Sequence, residues 1–402
     1  MDKLKKYNQE HLLKFVNELS GDEKKGLYNQ IESLDFSYLD EIGKNNSINF
    51  NEISPIDVLT IEKIEKNKQN YEKIGLNSIK NGEVAALILA GGMGTRLGFD
   101  GPKGMYNIGI TRDLYIFECL INNLKKVTSK ADTIIPLFIM TSDKNDKATK
   151  DFLKSKNYFG YDEKYIKFFI QDLAPCTDFN GKILLEAKNK IATSPNGNGG
   201  WFNSLLNNEE ARHLLEESGA KWINVFAVDN VLQQIADPVF IGATIDSSVE
   251  VGAKVIKKAD PYEKIGVMCL KNNKPSIVEY IDLGEEMALK VDENGERLYN
   301  YGVILNYLFS VKTLYEIKDK KLPIHVVNKK IEHIDDDGNL VKPSQPNGHK
   351  FEMLCVDMVE LSSSCLPFEI VREKEFAPIK NKEGVDSVES ARALLQKNGI
   401  AL

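Results

Sequence analysis

The chain has 402 residues, 42% of them hydrophobic and 28% charged, a balance that suits a globular protein and excludes a disordered one. Its formal net charge of −7 excludes a global basic field for nucleic acid, so a site for an anionic substrate must gather its own cations. No run reaches the roughly 18 apolar residues of a membrane-spanning helix, and residues 1–10 carry no apolar signal core. Five scattered cysteines, Cys119, Cys176, Cys269, Cys355 and Cys365, include no CxxC pair. Together these features predict a cytoplasmic protein with reduced thiols, and no membrane or nucleic acid partner.

Residues 1–80 read as a helical segment. Leu12, Phe15, Val16 and Leu19 fall on one stripe at helical spacing, and Leu27, Ile31 and Leu34 continue it. The pattern then changes. Val84–Leu89 is an unbroken apolar run closed by Gly91-Gly92, which predicts a strand buried on both faces. A helix is predicted over 113–127, with Asp113 as its cap. Further strands are predicted over 134–140, 166–170 and 222–228, with a helix over 207–218. This alternation predicts an α/β fold with an open, largely parallel (mixed) sheet flanked by helices. Ligands of such sheets bind beyond the carboxyl ends of the strands, where this chain places Gly91-Gly92, Gln171-Asp172 and Asp229-Asn230. From about residue 249 the texture is more strand-like. Runs over 264–271 and 276–282 flank a turn at Asn272-Asn273-Lys274-Pro275. The acidic run at 335–339 lacks the ligand spacing and closing glutamate of a calcium loop and reads as a hairpin turn. A short helix is predicted over 387–397.

The segment LAGGMGTRLGFDGPKGMYNIG, residues 89–109, carries the most chemistry. Gly91, Gly92 and Gly94 follow a buried strand closely, which predicts positive φ angles and a concave nest of N–H groups for phosphate oxygens. Arg96 offers a guanidinium fork and Lys103 a mobile point charge. A structural turn would explain the glycines but not both cations. The Gly-Lys-Ser/Thr of a P-loop is absent, and a dinucleotide fingerprint fails by one position, Leu97 standing where glycine is required.

These residues resemble the signature loop of the eukaryotic-type UDP-N-acetylglucosamine pyrophosphorylases. UDP-glucose pyrophosphorylases have a similar loop with Asn for Ala90 and Ser for Arg96. The resemblance continues in order through Phe168-Phe169-Ile170-Gln171, Pro195-Asn196-Gly197-Asn198-Gly199-Gly200, Val228-Asp229-Asn230, the run 236–242, Val278-Glu279-Tyr280 and the run 372–381, and covers roughly residues 80–395. It implies a Rossmann-like (GT-A-like) nucleotidyltransferase domain over 81–385. Before it lies the helical segment 1–80, and after it a short helical tail, 386–402, in place of the family's C-terminal β lobe. The implied reaction joins UTP to N-acetylglucosamine-1-phosphate with Mg2+, giving UDP-N-acetylglucosamine and pyrophosphate. By the same resemblance Leu89, Ala90, Gly91, Gly92 and Gly94 hold UTP through the backbone, while Arg96, Lys103 and Lys380 act on its phosphates. Gln171 reads the uracil edge with Gly197 beside the base, Asn198, Gly266 and Glu279 hold the sugar, and Asp229 ligates the metal.

Each position also has a structural alternative. Gln171 could cap a strand, Asp229 could cap a helix, Glu279 could belong to a surface hairpin and Lys380 could be a solvated lysine. His325 is read as structural, and Trp201 and Trp222 as packing residues. The chain departs from the family at several positions. Asn196 replaces Asp and Asp172 replaces Gly. Val303 replaces a sugar-contacting Asn, for which Asn300 is the nearest substitute. Leu354 and Val356 replace aromatic residues near the acetyl pocket. Another sugar (glucose, galactose or N-acetylgalactosamine), a non-catalytic nucleotide-sugar-binding protein and a Rossmann dehydrogenase stay open as alternatives. Without the β lobe, a monomer is expected.

Overall fold

The computed structural model describes residues 2–44 and 52–402. The chain forms two compact units, the first from residues 1–46, 171–200 and 321–355, the second from 47–170, 201–320 and 356–402. The helical segment expected over 1–80 contributes to both. Helix Gly21–Ser33 lies in the first unit and helix Ile61–Lys80 in the second.

The second unit is built on a ten-stranded mixed sheet. Its strands are β1 (Ile53–Ser54), β2 (Val84–Leu89), β3 (Leu137–Thr141), β4 (Ile166–Ile170), β5 (Trp222–Ala227), β6 (Val251–Lys257), β7 (Val267–Lys271), β8 (Lys274–Val278), β9 (Tyr301–Ser310) and β10 (Cys365–Glu369). Strands β5, β2, β3 and β4 run parallel in that order. The long strand β9 is antiparallel to β5, β6 and β7, while β10 is parallel to β6. Every residue of β2 is buried, as its unbroken apolar run requires of a strand covered on both faces. Helices Ile61–Lys80 and Pro238–Asp246 cross closely. A Cβ on Gly75 would stand 1.9 Å from Pro238 O, and one on Gly242 would stand 1.8 Å from Tyr71 O. Trp201 is fully buried and meets Phe202 edge-on, in keeping with a packing role.

Several local expectations are corrected. The helix expected over 113–127 runs Ile116–Ala131 with Tyr115 at its N-cap. Asp113 instead accepts hydrogen bonds from Asn107 Nδ2 and Tyr115 Oη, at 2.7 and 2.8 Å. The helix expected over 207–218 runs Glu209–Ser218, because Asn208 is its N-cap and accepts from Ala211 N–H, while Asn207 ends the preceding helix Trp201–Asn207. The strand expected over 276–282 stops at Val278, since Glu279 is already the N-cap of helix Tyr280–Leu289. The β7–β8 hairpin turns on Asn272 and Asn273, both left-handed (φ 50° and 63°), the type I′ geometry that matches strand twist.

In the first unit, Leu4, Leu12, Phe15, Leu19, Leu27, Ile31 and Leu34 pack with Ile183, Leu185 and Ile191. The stripe over 12–19 lies on two short 3-10 turns, Glu10–Leu13 and Val16–Glu18, rather than on one α-helix. Helix Gly21–Ser33 starts with a capping box between Ser20 and Glu23. A three-stranded antiparallel sheet joins Thr177–Asp178, His325–Lys329 and Gly348–Glu352. The acidic run is a hairpin turn, with Asp335 Oδ1 accepting from Asp337 N–H and Asn339 N–H at 2.9 and 2.8 Å.

One buried charge cluster ties together three segments of the second unit. Lys254, on β6, is fully buried. Its Nζ donates to Glu375 Oε2 at 2.5 Å, Asp237 Oδ2 at 3.2 Å and Gln234 O at 3.3 Å. Burial alone would lower its pKa, but the Glu375 and Asp237 carboxylates outweigh burial and hold it above the ordinary value. Burial pushes the Glu375 carboxyl up, against the pull of Lys254. Lys254→Met would leave two buried carboxylates without a cation, and a loss of about 3–5 kcal/mol is expected in urea denaturation. A loss under about 1 kcal/mol, the size of a surface pair, would contradict this account of the cluster.

Candidate active site

The glycine loop leaves β2 with its carbonyl groups already committed. Asn145 Nδ2 donates to Ala90 O and Gly92 O at 2.9 and 3.3 Å. Ser142 Oγ donates to Gly91 O at 2.9 Å, and Lys103 N–H donates to Gly92 O at 3.1 Å. In a trans peptide the N–H points opposite the C=O. Turning the carbonyls of residues 90, 91 and 92 into the protein therefore turns the N–H groups of Gly91, Gly92 and Met93 the other way. Those N–H groups are left to a ligand, and backbone donors of this kind suit phosphate oxygens. Sequence reasoning missed Ser142 and Asn145. Their signal was a polar run directly after the buried strand β3.

The glycines serve differently from expectation. Of Gly91, Gly92, Gly94 and Gly98, only Gly98 adopts a left-handed backbone (φ 69°). Gly94 donates its N–H to Gly101 O at 2.8 Å, and a Cβ there would stand 2.8 Å from the Phe99 ring, so Gly94 supplies space rather than a donor. A Cβ on Gly92 would meet nothing within 4 Å. The protein itself makes no demand for glycine at that position. The room beside it faces outward, where a ligand can approach the backbone.

Cations gather at the carboxyl ends of β2 and β5. Lys103 is buried, 8% exposed, and its Nζ stands 3.8 Å from Asp229 Oδ2. Burial lowers its pKa. Asp229 opposes that, and the nearby charges of Arg96 and Lys380 add to it. Arg96 is exposed on the 3-10 turn Thr95–Leu97. Asp229 follows β5, and its main-chain O accepts from Ile379 N–H at 2.9 Å. Asn230 beside it clamps the same segment, donating to Glu375 O at 2.8 Å and accepting from Ala377 N–H at 2.9 Å. Lys380 Nζ donates to Asp386 Oδ2 at 2.9 Å.

Asp229 and Lys380 line a cavity of about 230 Å³ together with Gly266, Glu279, Val303 and Val356. Gly266 O accepts from Val303 N–H at 2.9 Å, and a Cβ on Gly266 would stand 3.3 Å from Glu279 Oε1. The cavity wall is thus polar at Glu279 and aliphatic at Val303 and Val356. Sequence reasoning missed Lys264, Tyr307 and Phe376, which also line it. Asn300, the expected substitute for the Val303 position, is not part of the wall. It is buried ahead of β9, where its main-chain O accepts from Lys258 N–H at 2.8 Å.

Gln171, Gly197 and Asn198 belong to the first unit. Gln171 is buried, 7% exposed. Gly197 is left-handed (φ 88°), and a Cβ there would stand 2.2 Å from Met353 O, so local packing alone requires glycine. Asn198 Oδ1 accepts from Cys355 N–H at 2.8 Å. Asn196 donates from Nδ2 to Tyr38 Oη at 3.2 Å, and its buried Oδ1 has no hydrogen-bond partner among the described residues.

No group of three or more His, Cys, Asp or Glu side chains among the described residues could hold a metal ion by itself. Asp229 offers a single carboxylate, with its side chain 22% exposed, beside a phosphate-binding loop. That donor set fits Mg2+, which binds through one or two carboxylates, with substrate phosphates and water completing its octahedron. No described helix is long and apolar enough to cross a membrane.

The UDPGP family model, described as UTP--glucose-1-phosphate uridylyltransferase, matches residues 29–401. The chain is 33% identical over 408 residues to the UDP-N-acetylhexosamine pyrophosphorylase-like protein 1 of Mus musculus, covering 95% of this chain and 80% of that protein. It is 35% identical over 365 residues to the UDP-N-acetylglucosamine pyrophosphorylase of Saccharomyces cerevisiae, covering 87% of this chain and 76% of that one. Its fold is similar to the crystal structure of the uridine diphosphate N-acetylglucosamine pyrophosphorylase from Trypanosoma brucei. That match has a TM-score of 0.83 at 27% identity, over 98% of this chain and 83% of the other. A phosphate-type loop after β2, a carboxylate after β5 and a family match over nearly the whole length agree: the chain belongs to the UTP--glucose-1-phosphate uridylyltransferase family, with UDP-N-acetylglucosamine pyrophosphorylases among its relatives.

Proposed function

We infer that the chain transfers the uridylyl group of UTP to N-acetylglucosamine-1-phosphate, releasing pyrophosphate. The observation that carries this reading is the glycine loop with its carbonyls held by Ser142 and Asn145, together with the Lys103–Asp229 contact, and relatives named for this reaction support it. A phosphate oxygen of the sugar-1-phosphate attacks the α-phosphorus of UTP in line. A new P–O bond forms, and the bond to the β-phosphate breaks with its electrons leaving on pyrophosphate. The nucleophile is already an anion, so no base and no covalent enzyme intermediate are needed. The protein's task is to hold two anions together and neutralise their charge. Arg96, Lys103 and Lys380 take the phosphates, and the loop N–H groups of Gly91 and Gly92 orient them. Gly266 and Glu279 face the sugar. Asp229, with the nucleotide phosphates, would hold Mg2+, which would supply further charge neutralisation. A cytoplasmic location belongs to the same proposal and is supported by the five cysteines, none of which is disulfide-bonded among the described residues.

The direct test is pyrophosphate release from UTP and Mg2+, with N-acetylglucosamine-1-phosphate and glucose-1-phosphate compared. Faster release with the acetylated sugar is expected, whereas preference for glucose-1-phosphate would overturn the sugar assignment. Arg96→Ala and Lys103→Ala should each lower turnover by a factor of about 10²–10³. Turnover within about tenfold of wild type would exclude that role.

Gly92→Ala separates a ligand's demand for glycine from the protein's own. Unliganded thermal stability should stay unchanged, while UTP binding weakens by at least about tenfold, near 1.4 kcal/mol. An equal loss of stability would show the glycine to be structural.

Lys103 must be protonated to act, and burial lowers its pKa from the lysine value of 10.5. The value of kcat/KM, which reports the free enzyme, should therefore fall on the alkaline side before ordinary lysines titrate, and Lys103→Arg should remove that limb even if kcat/KM is lower. The same shift makes protonated Lys103 oppose folding at neutral pH. Stability from this group should rise as pH climbs from its lowered value towards 10.5. A rate unchanged across that window would contradict the role.

A further inference from the structure

Beyond Lys380 the chain folds back into a small closed loop. Lys380 N–H and Asn381 N–H both donate to Asp386 O, at 2.6 and 3.0 Å. Asn381 Nδ2 donates to Val385 O at 3.2 Å, and Val388 N–H donates to Asn381 O at 3.1 Å. These bonds close the loop without help from the Asp386 side chain. Asp386 is left-handed (φ 53°), a conformation that glycine, asparagine and aspartate all adopt, so the backbone alone does not call for a carboxylate. What aspartate adds there is its carboxylate, and Oδ2 accepts from Lys380 Nζ at 2.9 Å. Lys380 in turn lines the cavity that holds Asp229 and Glu279, and its charge reaches Lys103.

An ammonium has three N–H donors, so one bond to Asp386 leaves two for a phosphate. A lysine on a flexible stem must otherwise be ordered each time substrate arrives. We propose that Asp386 is a positioning residue for uridylyl transfer: its carboxylate pins the Lys380 ammonium at the cavity so that the cation is in place when the α-phosphate reacts. This rests on the role proposed above for Lys380.

The test is a double-mutant cycle on the full chain. Asp386→Asn keeps the turn and removes the charge, and Asp386→Gly keeps the left-handed backbone with no side chain at all. Each should lower kcat about tenfold and leave KM for UTP within about twofold, since positioning acts on the transition state. In a Lys380→Ala background neither should lower kcat further, because the carboxylate then has nothing to position. An equal loss of kcat in both backgrounds would mark Asp386 as merely structural and overturn the proposal, as would wild-type kcat in both single variants. Wild-type kcat in Lys380→Ala itself would instead remove the role of Lys380, and the inference with it.

Discussion

The buried contact of Lys254 with Asp237 and Glu375 is the constraint on which the second unit's chemistry depends. Asp237 also caps helix Pro238–Asp246, with Oδ1 accepting from Val239 N–H at 3.0 Å. Glu375 begins the segment that Asn230 clamps beside β5 and that ends at Lys380. One buried ammonium thus ties the sheet, a helix start and a candidate catalytic lysine to common coordinates. Buried ion pairs are poor sources of net stability, because desolvation consumes most of the Coulombic gain. Their value here is geometric, since removing one partner leaves the others charged in an apolar interior.

The second constraint is electrostatic. A protein of net charge −7 must bring two anions together, so positive charge has to be concentrated where the reaction occurs. Arg96, Lys103 and Lys380 lie close enough for two of them to depress the pKa of the third. Asp229 relieves part of that repulsion in the unliganded protein. Substrate phosphates, with a metal ion on Asp229, would relieve the rest. In the proposed reading the site is preorganised at a cost to the empty enzyme, and substrate binding recovers that cost.

Much of this was legible in the residues. Val84–Leu89 is bounded as expected because an unbroken apolar run closed by glycines leaves little choice of ends, and Ile166–Ile170 because the polar Gln171-Asp172 follows it. Helix starts were harder. Asp113 looked like a cap but bonds to Asn107 and Tyr115, a tertiary choice that local propensity cannot foresee. The left-handed backbone expected of the loop glycines was wrong in mechanism, though the loop was in the right place. Its shape comes from Ser142 and Asn145, some fifty residues away in sequence. Lys264 and Tyr307 carry no local signal, and Phe376 is legible only as part of the run 372–381, because cavity walls assemble from positions with no shared local pattern. The resemblance to a family supplied the residue roles, and the geometry supplied the reason that Gly92 has room beside it.

The central claim is that two bound anions react directly, with the protein acting only through position and charge. Exchange of labelled pyrophosphate into UTP tests it most directly. Exchange that occurs only when N-acetylglucosamine-1-phosphate or its UDP-sugar product is present is the expected result. Exchange with UTP and Mg2+ alone would reveal a uridylyl-enzyme intermediate and contradict the account.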